Sequence, residues 1–310
     1  MATIDDLDVG AALTEEHFET APRVFPRELP ATSRREVARR ARQIGMVTAK
    51  HFAPLAARSA LTRHLAPDAY ARPLRKTFEE LGATFMKFGQ LIGSSPGMFG
   101  DNVAAEFRSC LDTGAPVPFD DVRRTVEADL GMPLDEAFWS FSETPIGRAS
   151  ISVVHKATTR DGRRVAVKVL RPGIEQQVAR DLDLFQPLLE LVAKQTGEYV
   201  AGQLLAMFQG FRVQIGEELD LRNEARAMAH YRRLLARVDL PRVTVPEVFP
   251  ELSGSRVLTM EFFDGVPVDV VPVSGGAEVD VVPAQPPRPQ VDREGQQDLR
   301  RSAEVEPLPH

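Results

Sequence analysis

The chain has 310 residues, 43% of them hydrophobic and 26% charged, and a formal net charge of -6. That composition places it among soluble globular proteins, and the acidic balance excludes a general nucleic-acid binder, because neutralising phosphates needs a basic surface. The single Cys110 excludes an intramolecular disulfide, the six histidines show no zinc-ligand spacing, and no stretch approaches the ~18 consecutive apolar residues of a spanning helix. A cytoplasmic location is expected, with any membrane contact peripheral to the inner face.

In chain order, residues 1–33 read as a loose segment in which Met1 to Gly10 carries three Asp and no basic residue, wrong for a secretory signal. From Ser33 to about Ala66 the pattern is helical and rich in arginine, with Arg34, Arg35, Arg39, Arg40 and Arg42 close together; it reads as a solvated face or as a patch for anionic lipid or a protein partner. Further helices are expected from Pro73 to Ser94, Asn102 to Leu111 and Phe119 to Leu130. Within the first, Leu81, Phe85, Phe88 and Ile92 form an apolar stripe, Lys87, Gln90 and Ser94 share a polar face, and Gly89 sits mid-helix at a cost of ~1 kcal/mol relative to Ala.

The texture changes after Phe141. The segment 149–157 is β-branched, Asp161-Gly162 signals a turn, and Arg164 to Leu170 alternates, which together predict a β-hairpin. Helices are expected from Glu175 to Gln195 and from Ala201 to Arg237, the second burying Leu204, Phe208, Phe211, Ile215 and Leu219 and placing Glu217, Asp220 and Glu224 on one face. Strands follow at Val243 to Phe249 and Arg256 to Phe263, turning at Ser253 to Ser255. Residues 270–310 are rich in Pro and lack Phe, Trp, Tyr and Lys, so a disordered tail is expected.

This order of hairpin, strand ending Val165-Ala166-Val167-Lys168, carboxylate-bearing helix and two strands is that of a protein-kinase N-terminal lobe, in which the strand Lys binds ATP phosphates and pairs with a helix Glu. Lys87-Phe-Gly-Gln90, Ala149-Ser150 with Val154 to Ala157, Val165 to Lys168, Arg171-Pro-Gly-Ile174, and Glu218-Leu-Asp220 with Asn223-Glu-Ala225 occur in the order seen in the UbiB/AarF/ADCK atypical kinase-like family, which the chain resembles over about residues 75–269.

The resemblance implies an α+β fold: a kinase-like N-lobe of antiparallel sheet and helices over 142–269, preceded by a helical extension over 34–141. It implies ATP-dependent chemistry tied to isoprenoid quinone and lipid metabolism. Lys168 is then the phosphate ligand with Glu218 as its partner, and Ala149 and Ser150 form the loop over the phosphates. Lys87, Gly89, Gln90 and Asp220 form a gating motif in which Gly89 permits close backbone approach and Lys87 faces Glu218 and Asp220. The catalytic-loop Asp and Asn and the metal-binding Asp of a C-terminal lobe are not found after Gly265. ATP binding is therefore expected to be weak or lost, Mg²⁺ binding is not expected, and the uncovered lobe and its strand edge near Phe262 are expected to invite a partner. The alternative reading is a non-catalytic module that binds a membrane surface or a protein.

Overall fold

The computed structural model describes residues 28–62, 68–108, 114–194, 198–237 and 243–265. Met1–Phe262 belong to one unit and Phe263–His310 to another; the first carries everything described below. The expected tail at 270–310 lies outside the described residues.

The first helix, α1 (Arg34–Thr62), opens with Ser33 and Glu36 exchanging hydrogen bonds: the Glu36 amide donates to Ser33 Oγ at 3.3 Å while Glu36 Oε2 accepts from the Ser33 amide at 3.1 Å. Its arginines are not all solvated. Arg40 is 9% exposed and its guanidinium holds the fully buried Asp181 through Nε at 2.6 Å and Nη2 at 3.1 Å.

The expected helix Pro73 to Ser94 is two helices, α2 (Ala71–Leu81) and α3 (Ala83–Gly93). Gly82, at φ +93°, makes the break, a backbone state that side-chain-bearing residues resist. The carbonyl of Leu81 that the break leaves without a helical partner accepts from Arg40 Nη2 at 2.7 Å. The short α4 (Pro96–Phe99) and then α5 (Asp101–Arg108) follow, and α5 packs on α3.

Next, α6 (Phe119–Leu130) occupies the expected span, and α7 (Leu134–Ala137) leads directly into β1 (Phe138–Arg148). Sequence reading missed β1, whose start puts the expected boundary at 141/142 inside a strand. The other strands are β2 (Ser152–Thr159), β3 (Arg164–Leu170) and β4 (Val257–Glu261), all antiparallel in the order β1-β2-β3-β4. The hairpin turn closes as expected, with the Gly162 amide donating to the Thr159 carbonyl at 3.0 Å.

Alternation along β3 assigns the two faces of the sheet. Val165, Val167 and Val169 are fully buried in a core with Val122 and Val126 of α6, Phe138 and Val257. Leu170 and, on β4, Leu258 join the helical core of Phe85, Phe88, Phe185, Phe208 and Ile215. Thus α6, read as part of the extension, covers one face of the lobe's own sheet.

The sheet edges differ from expectation too. The segment 243–249 is not a full strand; Val248 forms a single bridge to Met260, and Pro246 and Pro250 remove amide donors on either side. Even so it occupies the outer edge of β4, with the Phe249 amide donating to the Thr259 carbonyl at 2.9 Å and the Glu261 amide to the Glu247 carbonyl at 2.8 Å. Phe262 lies under Lys156 Nζ at 4.5 Å from its ring centre. At the opposite edge β1 pairs with β2 through three register shifts and contains Pro145.

One buried titratable group belongs to the sheet. His155 is 2% exposed, donates from Nδ1 to the Ser142 carbonyl at 2.8 Å, and lies 5.4 Å from the Phe141 ring centre. Burial pushes its pKa below the ordinary 6.5, with the Ser142 bond pulling the other way. The unfolded chain then binds the proton more readily, so His155's contribution is complete above about pH 6.5 and is lost as pH falls. Urea unfolding should show His155 costing up to about 1 kcal/mol between pH 7.5 and 5.5, and His155→Gln should flatten the profile over that range.

Candidate functional site

After α8 (Ile174–Ala193), the long helix expected from Ala201 to Arg237 is also two, α9 (Glu198–Glu218) and α10 (Leu221–Leu235), separated by a break at Leu219 and Asp220. Asp220 is the N-cap of α10, its side chain accepting from the Arg222 amide at 3.1 Å and from Arg222 Nε at 2.8 Å. The Asn223 side chain reaches back to the Glu217 carbonyl at 3.0 Å, and the Leu221 amide donates to the Ser255 carbonyl at 2.9 Å. Glu217, Asp220 and Glu224 therefore share no continuous helix face.

This break decides which carboxylate meets which lysine. Glu218, the last residue of α9, takes Lys87 of α3, Nζ to Oε2 2.9 Å. Glu224, one turn into α10, takes Lys168 of β3, Nζ to Oε2 2.7 Å. The expected pairing of Lys168 with Glu218 is thus corrected to Glu224. The reason is geometric: with the extended Asp220 N-cap between them the two glutamates belong to separate helices and share no helical face. An Asp followed by a fresh run of helix formers is the sequence signal that was available and was read as mid-helix. Of the two carboxylates expected to face Lys87, Glu218 does so, whereas Asp220 is engaged by Arg222 at 2.5 Å.

Lys87, Gln90, Ser94, Gln214 and Glu218 line a cavity of about 200 Å³ between α3 and α9. Gly89 is buried in α3. In the same helix a Cβ at Gly93, which sequence reading passed over, would lie 3.1 Å from the Phe107 carbonyl carbon and the Arg108 amide nitrogen of α5.

Ala149 and Ser150 form the β1–β2 turn, with Ser150 3% exposed. Arg171, directly after β3, fixes that turn: its Nε donates to the Ala149 carbonyl at 3.0 Å, its Nη1 to the Ala115 carbonyl at 2.7 Å, and its amide to the Ile151 carbonyl at 2.9 Å. Arg148, by contrast, is exposed. Register places Val154 beside Lys168 and Lys156 beside Ala166, so these four share one sheet face, with Val154 and Lys168 the pair nearer the turn. Among the described residues no cluster of three or more His, Cys, Asp or Glu is arranged to hold a metal ion, and no helix is long and apolar enough to cross a membrane.

A twisted antiparallel sheet whose third strand presents a lysine to a helix glutamate, under a fixed β1–β2 turn, defines a kinase-like N-lobe. The model of the ABC1 atypical kinase-like domain matches residues 110–281. The chain belongs to that family, the one that includes UbiB and AarF. It is 39% identical over 201 residues to an uncharacterized protein of Mycobacterium tuberculosis, covering 64% of this chain and 41% of the relative. It is 36% identical over 197 residues to an uncharacterized, chloroplastic aarF domain-containing protein kinase of Arabidopsis thaliana, covering 63% and 36%. A protein named "Probable protein kinase UbiB" in Cellvibrio japonicus is 35% identical over 195 residues, covering 63% and 35%. The chain thus spans little more than a third of the length of these relatives.

Proposed function

We propose that this unit is the nucleotide-phosphate-binding lobe of a UbiB-type atypical kinase. The observation that carries the reading is the Lys168–Glu224 pair at 2.7 Å, on the sheet face that also bears Val154 and Ala166. Lys168 presents a compact ammonium suited to phosphate oxygens, and Glu224 orients it. Ala166, two residues before Lys168 on the same sheet face, is where a flat base would lie, and the turn at Ala149 and Ser150, already fixed by Arg171, stands at the far, Leu170 end of that strand, toward the phosphates. A bound nucleoside triphosphate would supply the phosphoanhydride; these residues would hold and orient it. Family resemblance sets this chemistry in isoprenoid quinone and lipid metabolism, at a location that is cytoplasmic or peripheral to the membrane.

Titration of the chain with a fluorescent ATP analogue tests this. Losing a charge-assisted contact costs about 1.5–3 kcal/mol, so Lys168→Ala should weaken binding by at least roughly tenfold, and Glu224→Gln by less. Equal binding by Lys168→Ala and the parent would remove Lys168 from this role.

A second reading, a surface for an anionic membrane or protein, draws on Arg34, Arg35, Arg39 and Arg42, which are exposed on α1. Cosedimentation with anionic vesicles at low salt, where charge attraction is strongest, should then be lost when the four are changed to Gln.

A further inference from the structure

We propose that the arginine-rimmed groove along α10 seats this chain's own acidic N-terminal segment, residues 4–19. The groove, about 830 Å³, runs between α10 and the segment leading into β4. Ala225 and Ala229, one turn apart, line it from α10, and Val248 and Pro250 line it from across. Arg226 and Arg233 stand exposed along it.

The charges around the groove are unevenly satisfied. Arg222 is engaged by Asp220, Arg232 donates to the Val245 carbonyl at 2.8 Å and lies 3.9 Å from Glu261, and the groove's own Glu247 is taken by Arg163 at 2.6 Å. Arg226 has the neutral Asn223 amide oxygen at 3.2 Å. Among the described residues no carboxylate forms an ion pair with Arg226 or Arg233. An apolar floor beneath uncompensated guanidinium groups fits a segment with apolar side chains and several carboxylates.

Residues 1–22 have that chemistry. They hold Asp5, Asp6, Asp8, Glu15, Glu16 and Glu19 with no Lys or Arg, and Ile4, Leu7, Leu13 and Phe18 are interspersed. Reach is sufficient as well. Glu28 to Thr32 line a cavity of about 530 Å³ together with Gln209, Arg212, Val213 and Gly216 of α9, and Gly216 precedes Leu221, the first residue of α10, by only five positions. Those five residues span at most about 18 Å, whereas the nine from Glu19 to Glu28 extend to about 30 Å.

The test uses full-length chains and a fluorescein-labelled peptide of residues 1–22, read by anisotropy at low salt. One chain carries Asp5→Asn, Asp6→Asn, Asp8→Asn, Glu15→Gln, Glu16→Gln and Glu19→Gln, which vacates the groove. It should bind the peptide at least about tenfold more tightly than the parent, whose tethered segment competes at high effective concentration. Adding Arg226→Gln and Arg233→Gln should remove at least about tenfold of that affinity, and Arg226→Lys with Arg233→Lys should keep most of it. Indifference to the arginine changes, or no binding to the vacated chain, would overturn the proposal. Sedimentation velocity should find the parent monomeric; a dimer dissolved by the six acidic substitutions would overturn it in favour of a second copy as occupant. Nothing in this test depends on nucleotide binding.

Discussion

Arg40→Ala is expected to lower stability by about 3–5 kcal/mol, read as a drop in the urea midpoint at unchanged slope. Asp181 is fully buried, and burial pushes its carboxyl above the usual range while Arg40 pulls it back down. Removing the guanidinium leaves a charge in a dry site and takes the donor from the Leu81 carbonyl at the end of α2. The deficit should narrow as pH falls, because the unpaired carboxyl escapes the penalty by taking a proton. Arg40→Met with Asp181→Leu should recover most of the loss, leaving about 1 kcal/mol for the Leu81 carbonyl. A single variant that unfolds at the parent's midpoint would show that this contact does not hold α1 and α2 to α8.

Phe88→Ala is expected to cost about 3–5 kcal/mol. Phe88 is 5% exposed and its ring centre lies 5.1 Å from Phe185 of α8, 5.1 Å from Phe211 of α9 and 6.4 Å from Phe78 of α2. No neighbour can collapse into the space without leaving another of these contacts. Its neighbour Lys87 depends on the same seat for its 2.9 Å contact with Glu218. Phe88→Leu, which fills more of the volume, should cost clearly less. Equal losses for the two variants would mean that filled volume is not what fixes α3.

How much of this was legible from residue order depends on the kind of signal. The β2–β3 hairpin and α6 were legible because alternation, an Asp-Gly turn and acidic first-turn residues are local. The Lys168 strand was legible for the same reason. β1 was not, because its polar run from Ser142 to Pro145 shows no clean alternation, as suits an edge strand interrupted by register shifts. The breaks at Gly82 and Asp220 were read as helix interior because apolar spacing continues through both, and only a tertiary partner shows that the chain turns there. With the second break went the assignment of Lys168's partner. Arg171 was noted as part of a family motif; its role in fixing the β1–β2 turn rests on carbonyls at Ala115, Ala149 and Ile151 that no spacing rule brings together.

The two margins of the sheet bear on how another molecule can recognise this protein. Backbone donors and acceptors on β4 are taken by Glu247 and Phe249, and β1 carries Pro145 and an irregular register. An incoming peptide therefore meets occupied groups at β4 and a proline-interrupted margin at β1, which disfavours strand addition, a mode that reads main chain and is nearly indifferent to side chains. Recognition that reads side chains on the faces is favoured instead, and such recognition can be weakened or redirected by changing one residue at a time.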